Sequence, residues 1–388
     1  MRVTHVITRL IIGGAQENTL ATGLGLRRLS GVSVQLLSGP TGGSEGSLEP
    51  VAAQVPGLLR RIPDLVRPVH PWRDLRAFRQ LCRCFREWPP DIVHTHSGKA
   101  GILGRLAARR TGVPLIIHTI HGPSFGDFQG GLPNLLYRGA ERLAGRTTTH
   151  FVSVADAMTC QYLAAGIGRP EQYTRIFSGF PLEAFLTARP DPVLRSQLGL
   201  RPGDFVVGKI ARLFKLKGHE YLFNAAPAII ARCPRVKFLL VGDGPEREKF
   251  ERRVVESRLQ SHFIFTGLVP PERIPSLVGV MDALIHLSLR EGLPRALPQA
   301  LAAAKPVIAY DCDGAREVCL DGRTGLLLPP GTDVAEAVHT LAEDPGLCER
   351  LGRDGQAFVR TRFSVETMVA DTYSLYQRLL AARPAKTR

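Results

Sequence analysis

Two α/β domains, each built on a parallel sheet, are predicted for this chain of 388 residues. Short apolar, β-branched runs alternate with longer helical stretches from one end to the other, the pattern of repeated strand–helix–strand units. The alternation is interrupted at residues 181–203, where Pro190, Pro192 and Pro202 surround a short helical piece, and then begins afresh. The length is large for one core and comfortable for two.

In the first half, strands are expected at Val3–Thr8, Val32–Leu37, Ile92–Thr95, Leu115–Thr119 and His150–Ser153. Helices are expected at Gln16–Leu29, Asp74–Glu87, Lys99–Arg110, Leu132–Ala144 and Ala155–Ala164. Trp88-Pro89-Pro90 stops the second of these, and Arg175–Ile176 leads into a loop. In the second half, strands are expected at Phe205–Ile210, Val236–Gly242, Ile264–Thr266, Ala283–His286, Val307–Ala309 and Gly325–Leu328. Helices are expected at Gly218–Arg232, Pro245–Ser257, Glu272–Val278 and Arg295–Ala304. A last helix, Val365–Ala382, has Ser364 as its N-cap and Glu366 in its first turn. The expected division is a first domain over 1–180, a linker over 181–203 and a second domain over 204–362, with helix 365–382 packing back on the first. Both domains read as doubly wound and Rossmann-like, and the cleft between two facing domains is the default ligand site.

Composition narrows the class. Hydrophobic residues make up 44% of the chain, enough for sizeable cores. No apolar run approaches bilayer length, and MRVTHVITRLIIGG reads as a first strand rather than a signal peptide. The expectation is a cytoplasmic protein. Seven scattered cysteines argue against a disulfide framework. The formal net charge is +15, and residues 1–180 carry 21 Lys and Arg against 11 Asp and Glu, so the first half is the more basic. Phosphates, a membrane surface or nucleic acid would each account for that. Arg73, Arg76, Arg79, Arg83 and Arg86 recur at helical spacing between Trp72 and Trp88, a face suited to anionic lipid or simply to solvent. Aromatic content is only 7% and no groove-reading motif appears, so a nucleic-acid partner is not expected.

The residues able to carry chemistry lie at predicted strand ends. Ser288–Tyr310 joins an acidic loop, Glu291-Gly292-Leu293-Pro294, to a small-residue helix and then a core strand. Gly292 lets backbone approach a ligand and Pro294 stiffens the loop. The first-turn amides of that helix are expected to receive an anion beside the Glu291 carboxylate, which suits a ligand carrying both hydroxyls and phosphates. Arg212 and Lys217, in ARLFKLKG, follow the first strand of the second half, where two fixed cations suit a diphosphate. Gly242 and Gly244 form a second strand-to-helix turn, but Arg247 stands where a dinucleotide fingerprint needs glycine. Gly13 and Gly14 put bare backbone before the first helix. His94 and His96 share one face of a strand, and with His118 and His121 could hold a metal. No accompanying acidic motif supports that, and no metal is expected. His121, at a strand tip in Thr119-Ile120-His121-Gly122-Pro123, reads as a group that binds a polar reactant.

Together these segments resemble the family 4 glycosyltransferases of the two-domain GT-B fold. The resemblance spans nearly the whole chain: the Gly13-Gly14 loop, DIVHTHSGKAG at Asp91–Gly101, HTIHGP at His118–Pro123, ARLFKLKG, LLVGDGP, FTGLV, SLREGLP and GLLLPPG. It implies retaining transfer from a nucleotide-activated sugar, without metal or other cofactor. It places Arg212 and Lys217 at the leaving diphosphate and Gly14, from the other domain, at the same phosphates. It places Glu291 on sugar hydroxyls, with Gly292, Leu293 and Pro294 lining its loop, and His121 near the reacting carbon. Gly13, Gly242 and Gly267 would line the donor site, with backbone near Thr266–Val269 reading the base. Gln299 departs from the family's usual glutamate for the ribose; an amide still accepts a hydroxyl bond, at a cost of roughly 1 kcal/mol relative to a charged acceptor.

The expected function is transfer of a hexose from a UDP- or GDP-sugar to a glycan or lipid-linked glycan acceptor, with peripheral contact to the anionic inner membrane leaflet. Arg212 and Lys217 are expected to face the Glu291 pocket across the interdomain gap. A sugar-nucleotide epimerase or hydrolase on the same fold is the alternative, and a non-catalytic basic binding protein a remoter one.

Overall fold

The computed structural model describes residues 1–43 and 46–383, which divide into two compact units. The described residues of 1–180, with 364–383, form the first, and 181–363 the second.

The first unit holds β1 (Arg2–Ile7), β2 (Ser33–Ser38), β3 (Leu59–Arg61), β4 (Ile92–His96), β5 (Leu115–Ile120), β6 (His150–Ser153) and β7 (Tyr173–Arg175). They form a parallel sheet in the order β3-β2-β1-β4-β5-β6-β7. The second unit holds β8 (Phe205–Ile210), β9 (Val236–Val241), β10 (Phe263–Gly267), β11 (Ala283–His286), β12 (Val307–Tyr310) and β13 (Gly325–Leu328). Its parallel sheet runs β10-β9-β8-β11-β12-β13. Each sheet therefore winds outward one way from its first strand and then the other way from its fourth. The order reverses between β1 and β4 in one unit and between β8 and β11 in the other. This is the doubly wound, Rossmann-like plan, and ligands bind at the carboxyl ends of the strands flanking such a reversal.

Central strands covered on both faces should be apolar throughout rather than alternating. Accordingly, every residue of β5, β11 and β12 is buried. One core packs Val3, Ile7, Leu20, Leu36 and Ile117 against Val369, Leu375 and Tyr376 of the last helix. The other packs Val207, Phe238, Leu240 and Ile285 against Phe223, Ile229, Val338 and Leu341.

The last helix, Val365–Ala381, lies in the first unit. The Ser364 hydroxyl accepts the Thr367 N–H at 3.0 Å, closing its first turn. It sits so close to helix Gly14–Arg27 that a Cβ at Gly25 would fall 2.4 Å from a Val369 methyl.

The structure corrects several local expectations. Residues 181–203 are not a free linker but part of the second unit. They form the helices Glu183–Leu186 and Pro192–Gln197, the latter capped by Asp191, and the Arg195 guanidinium donates to the Val280 carbonyl at 3.0 Å. Pro192 opens the second of these helices at its first position. The edge strands β3 and β7 escaped the sequence reading because three residues carry too little periodicity. Helices Glu49–Ala53, Ala335–Glu343 and Pro345–Arg360 were also unassigned.

Candidate active site

In the second unit, the loops after β8 and β11 flank the point where strand order reverses. They are stitched together. The Leu216 carbonyl accepts both the Leu289 N–H at 2.9 Å and the Ser288 hydroxyl at 3.0 Å. Gly218 begins helix His219–Arg232 with φ 68°, and a Cβ there would lie 1.8 Å from the Leu287 carbonyl oxygen. Only glycine permits that approach.

This stitching brings the Lys217 ammonium onto the Glu291 carboxylate, and the two form a direct ion pair. Both side chains are only about one-fifth exposed. Burial alone would raise the Glu291 carboxyl; the Lys217 charge, with His286 and a bond from Ser288, outweighs it and holds the group below its ordinary value. Glu291 is thus an ionised carboxylate in a nearly dry place. Its own N–H donates to Asp313 at 2.7 Å, and the Gly292 carbonyl accepts from the Gly314 N–H at 3.1 Å. Gly292, Leu293 and Pro294 are buried, so the loop is anchored rather than floppy.

Arg212 is exposed on the same β8 loop, its guanidinium 4.7 Å from the centre of the Phe214 ring, and its carbonyl faces a His219 ring nitrogen at 3.1 Å. The next two loops join in. Leu213 donates to the Asp243 carbonyl at 3.0 Å, and Gly242 donates to the Gly267 carbonyl at 3.1 Å. Cβ atoms at Gly242 and Gly244 would lie 2.3 Å and 2.4 Å from the carbonyl oxygens of Ala211 and Leu213. These glycines serve close loop-to-loop packing, which is why a dinucleotide fingerprint was not needed to place them. Gln299 is half-buried on helix Ala296–Ala302.

Two expectations change here. Arg212, Lys217 and Glu291 do not face one another across a gap between domains; all three belong to the second unit. The helix after Pro294 is only seven residues long, shorter than the expected Arg295–Ala304; within it Leu297 bonds the Pro294 carbonyl and Gln299 the Arg295 carbonyl, while Pro298 has no N–H.

Sequence reasoning missed what lies beneath the pair. Lys209, on β8, is 1% exposed, and burial, reinforced by Lys217, pushes its amine down to about 7. Its Nζ, His219 Nδ1 and His286 Nε2 have no hydrogen-bond partner among the described residues. The available signal was a lysine inside the apolar run Phe205–Ile210.

In the first unit, Gly13 and Gly14 lie between β1 and helix Gly14–Arg27, and His121 lies one residue beyond β5. His121 Nε2 is 3.0 Å from His96 Nδ1. The four-histidine grouping expected at the strand ends is split. His118 bonds Thr95 at 2.9 Å on the other face of the sheet, and His5 takes its place beside His94 and His96.

Known proteins share this fold and its sequence pattern. Residues 13–178 match the family model "Glycosyl transferase 4-like domain", and residues 191–358 match "Glycosyl transferases group 1". The putative glycosyltransferase EpsD of Bacillus subtilis is 30% identical over 328 residues, 81% of this chain and 84% of that one. A UDP-Gal:alpha-D-GlcNAc-diphosphoundecaprenol alpha-1,3-galactosyltransferase of Escherichia coli is 30% identical over 65% of this chain and 66% of its own length. Among solved structures, Anabaena HepE in complex with UDP superposes with a TM-score of 0.80 at 23% identity, covering 97% of this chain and all of that one. Sucrose-phosphate synthase of Thermosynechococcus elongatus gives 0.82 at 21% identity, over 99% and 100%. The fold is GT-B. The chain belongs to the glycosyltransferases of these two family models, and its activity is glycosyl transfer.

Proposed function

We propose that the chain is a retaining, metal-independent hexosyltransferase that takes its sugar from a nucleoside diphosphate and passes it to a glycan or lipid-linked glycan. The observation that carries this reading is the Lys217–Glu291 pair at the strand-order reversal of the second sheet, with Arg212 on the same loop. The bond between the anomeric carbon and the diphosphate oxygen breaks, one to an acceptor hydroxyl oxygen forms, and the acceptor proton leaves with the departing phosphate. Negative charge grows on the diphosphate, so preorganised cations lower the barrier. Glu291, kept ionised by Lys217, accepts sugar hydroxyls, and Gln299 offers an amide to the ribose.

The names of relatives support the substrate class. The Escherichia coli relative is named for a UDP-sugar and a diphosphoundecaprenol acceptor, and a Mycobacterium tuberculosis relative, 30% identical over 66% of this chain, for GDP-mannose. Since a ligand that binds only the folded state raises its melting point, a thermal-shift panel of UDP-, GDP- and ADP-sugars reads the donor. Product analysis with and without acceptor then tests transfer. Turnover of the donor that ignores every acceptor would overturn the reading.

Contact with an anionic bilayer belongs to the same proposal, but on a different helix from the arginine-rich one. No helix among the described residues is long and apolar enough to cross a membrane. Helix Gly131–Gly145 instead exposes Leu132, Leu135, Leu136 and Leu143 by 54–68%, with Arg142 and Arg146 exposed beside them. Its one acid, Glu141, is buried against Arg105 at 2.5 Å. An apolar stripe with exposed arginines beside it fits an anionic lipid surface.

A further inference from the structure

Two groups of side chains among the described residues bring three metal-ligating atoms within 4.8 Å of one another. One is His5, His94 and His96. There His94 is bonded at both ring nitrogens, to Tyr376 and Thr119, and His96 at both, to His5 and His121, so an ion would have to break that set. The other is Cys233, His339 and Glu343 in the second unit, outside the site described above.

Cys233 directly follows helix His219–Arg232, and its N–H closes that helix on the Ile229 carbonyl at 2.7 Å. His339 and Glu343 stand one turn apart on helix Ala335–Glu343, so they share a face. The two helices meet in the second core, which takes Ile229 and Cys233 from one and Val338 and Leu341 from the other. That packing fixes the backbone under all three ligands. Cys233 is 7% exposed, His339 half-buried and Glu343 exposed, so the group runs from core to solvent and an ion can enter.

The spacing suits zinc. Cys233 Sγ and His339 Nδ1 are hydrogen-bond partners at 3.5 Å. Sulfur and nitrogen bound at about 2.3 and 2.05 Å to a tetrahedral zinc lie about 3.5–3.6 Å apart. A cation therefore replaces the hydrogen between them with little movement of either side chain. Thiolate and carboxylate together neutralise a divalent ion, and a sulfur–imidazole set selects zinc over magnesium or calcium. Both helices also turn their carboxyl ends toward this corner, where the backbone dipole favours positive charge. The adjacent Arg232 guanidinium is matched by Glu336 at 2.5 Å.

We propose that Cys233, His339 and Glu343 form a structural zinc site that clamps helix His219–Arg232 to helix Ala335–Glu343, with water as the fourth ligand. As the Zn–S bond forms, the thiol proton passes to solvent. The site stands apart from glycosyl transfer. Helix His219–Arg232 starts at the Lys217–Glu291 loop and runs 14 residues, about 21 Å, before Cys233. The ion would thus sit at the amino edge of the sheet, while the sugar nucleotide is assigned to the carboxyl edge, and the transfer reading stands or falls without it.

Cobalt is the probe, because a thiolate ligand gives it a charge-transfer band. Full-length protein stripped with a chelator should bind one Co²⁺ per chain with that band, and one equivalent of Zn²⁺ should displace it. Cys233→Ser should abolish the band, and Cys160→Ser, which alters an exposed thiol elsewhere, should keep it. His339→Gln should weaken zinc on the order of 10²-fold and Glu343→Gln about tenfold, at or above the range for outer-shell partners. Zinc at about a hundredfold its dissociation constant should raise the wild-type melting temperature by about 5 °C, and the chelator should leave turnover unchanged. No thiolate band in the wild type, a band that persists in Cys233→Ser, or zinc affinity unmoved in both His339→Gln and Glu343→Gln would overturn the site. Turnover lost on chelation with the melting temperature unchanged would overturn its structural role. The wild-type titration needs no variant that must fold.

Discussion

Lys217 helps keep the buried Glu291 ionised, and on the proposed function it also supplies charge for a departing diphosphate. Lys217→Met should therefore lower turnover on the order of 10²-fold. It should also let burial raise the Glu291 carboxyl, moving the acid limb of kcat/KM to higher pH. A pH–rate profile whose acid limb stays in place would sever Lys217 from Glu291. Lys209 makes the opposite kind of prediction. Its amine is pushed down to about 7 when folded, against about 10.5 unfolded. Between those values the unfolded chain binds the extra proton, so the stability missing at neutral pH returns as pH rises toward 10.5. Lys209→Met should raise the second unit's melting temperature at pH 6.5, at about 2–4 °C per kcal/mol recovered, and raise it less at pH 9. Equal shifts at both pH values would show that the buried amine carries no such cost. Arg212, Lys217 and Glu291 were legible as letters because charges at the mouth of an α/β turn have few structural uses. The direct Lys217–Glu291 pairing was not, because the loops of β8 and β11, far apart in sequence, are brought together by bonds to the Leu216 carbonyl that side-chain letters do not report.

At the scale of elements, periodicity found the long helices but could not say which of their faces is left uncovered. The arginine face of helix Pro71–Glu87 looked the better lipid surface on charge alone. In the fold, Arg73 and Arg76 approach Asp64 at 3.5 and 3.4 Å, and Arg83 pairs with Glu87 at 2.6 Å, so much of that charge is matched. The leucines of helix Gly131–Gly145 face outward, because Glu141 and Ala144 take the buried side. A polar residue buried by an ion pair inverts the usual amphipathic reading. Replacing Leu135 and Leu136 together by Glu should abolish co-flotation with anionic vesicles and leave the melting temperature nearly unchanged, since both side chains are already more than three-fifths exposed. Arg79→Glu should weaken flotation far less. Equal flotation of the double leucine variant and the wild type would remove the bilayer from the proposal.

For the molecule as a whole, the doubly wound plan was readable from strand–helix alternation, but the number of buried histidines under each sheet was not. A histidine on a central parallel strand looks like any polar interruption until both faces are covered. In the first unit, His5 is held down to about 3, His150 to about 4, and His94, His96 and His118 well below their ordinary values, burial being the leading cause in each. In the second unit, His219 and His286 are held to about 3, again by burial first. These folded values all lie below the unfolded value of about 6.5. The unfolded chain therefore binds more protons on acidification, so stability is fully present above that pH and is lost as pH falls through the window beneath it. Each such histidine costs at most about 1.4 kcal/mol per pH unit. Five in one unit against two in the other give a difference of about 4 kcal/mol per pH unit between pH 6 and 5. Lys209 adds nothing to that slope, because below about 7 it is protonated in both states. Hydrogen exchange read peptide by peptide should then show the first unit losing its slowest protection at a higher pH than the second, with the two parting below pH 6. Protection lost in step from both units down to pH 5 would mean that these histidines do not control acid stability, and that their neutral state is not set by burial.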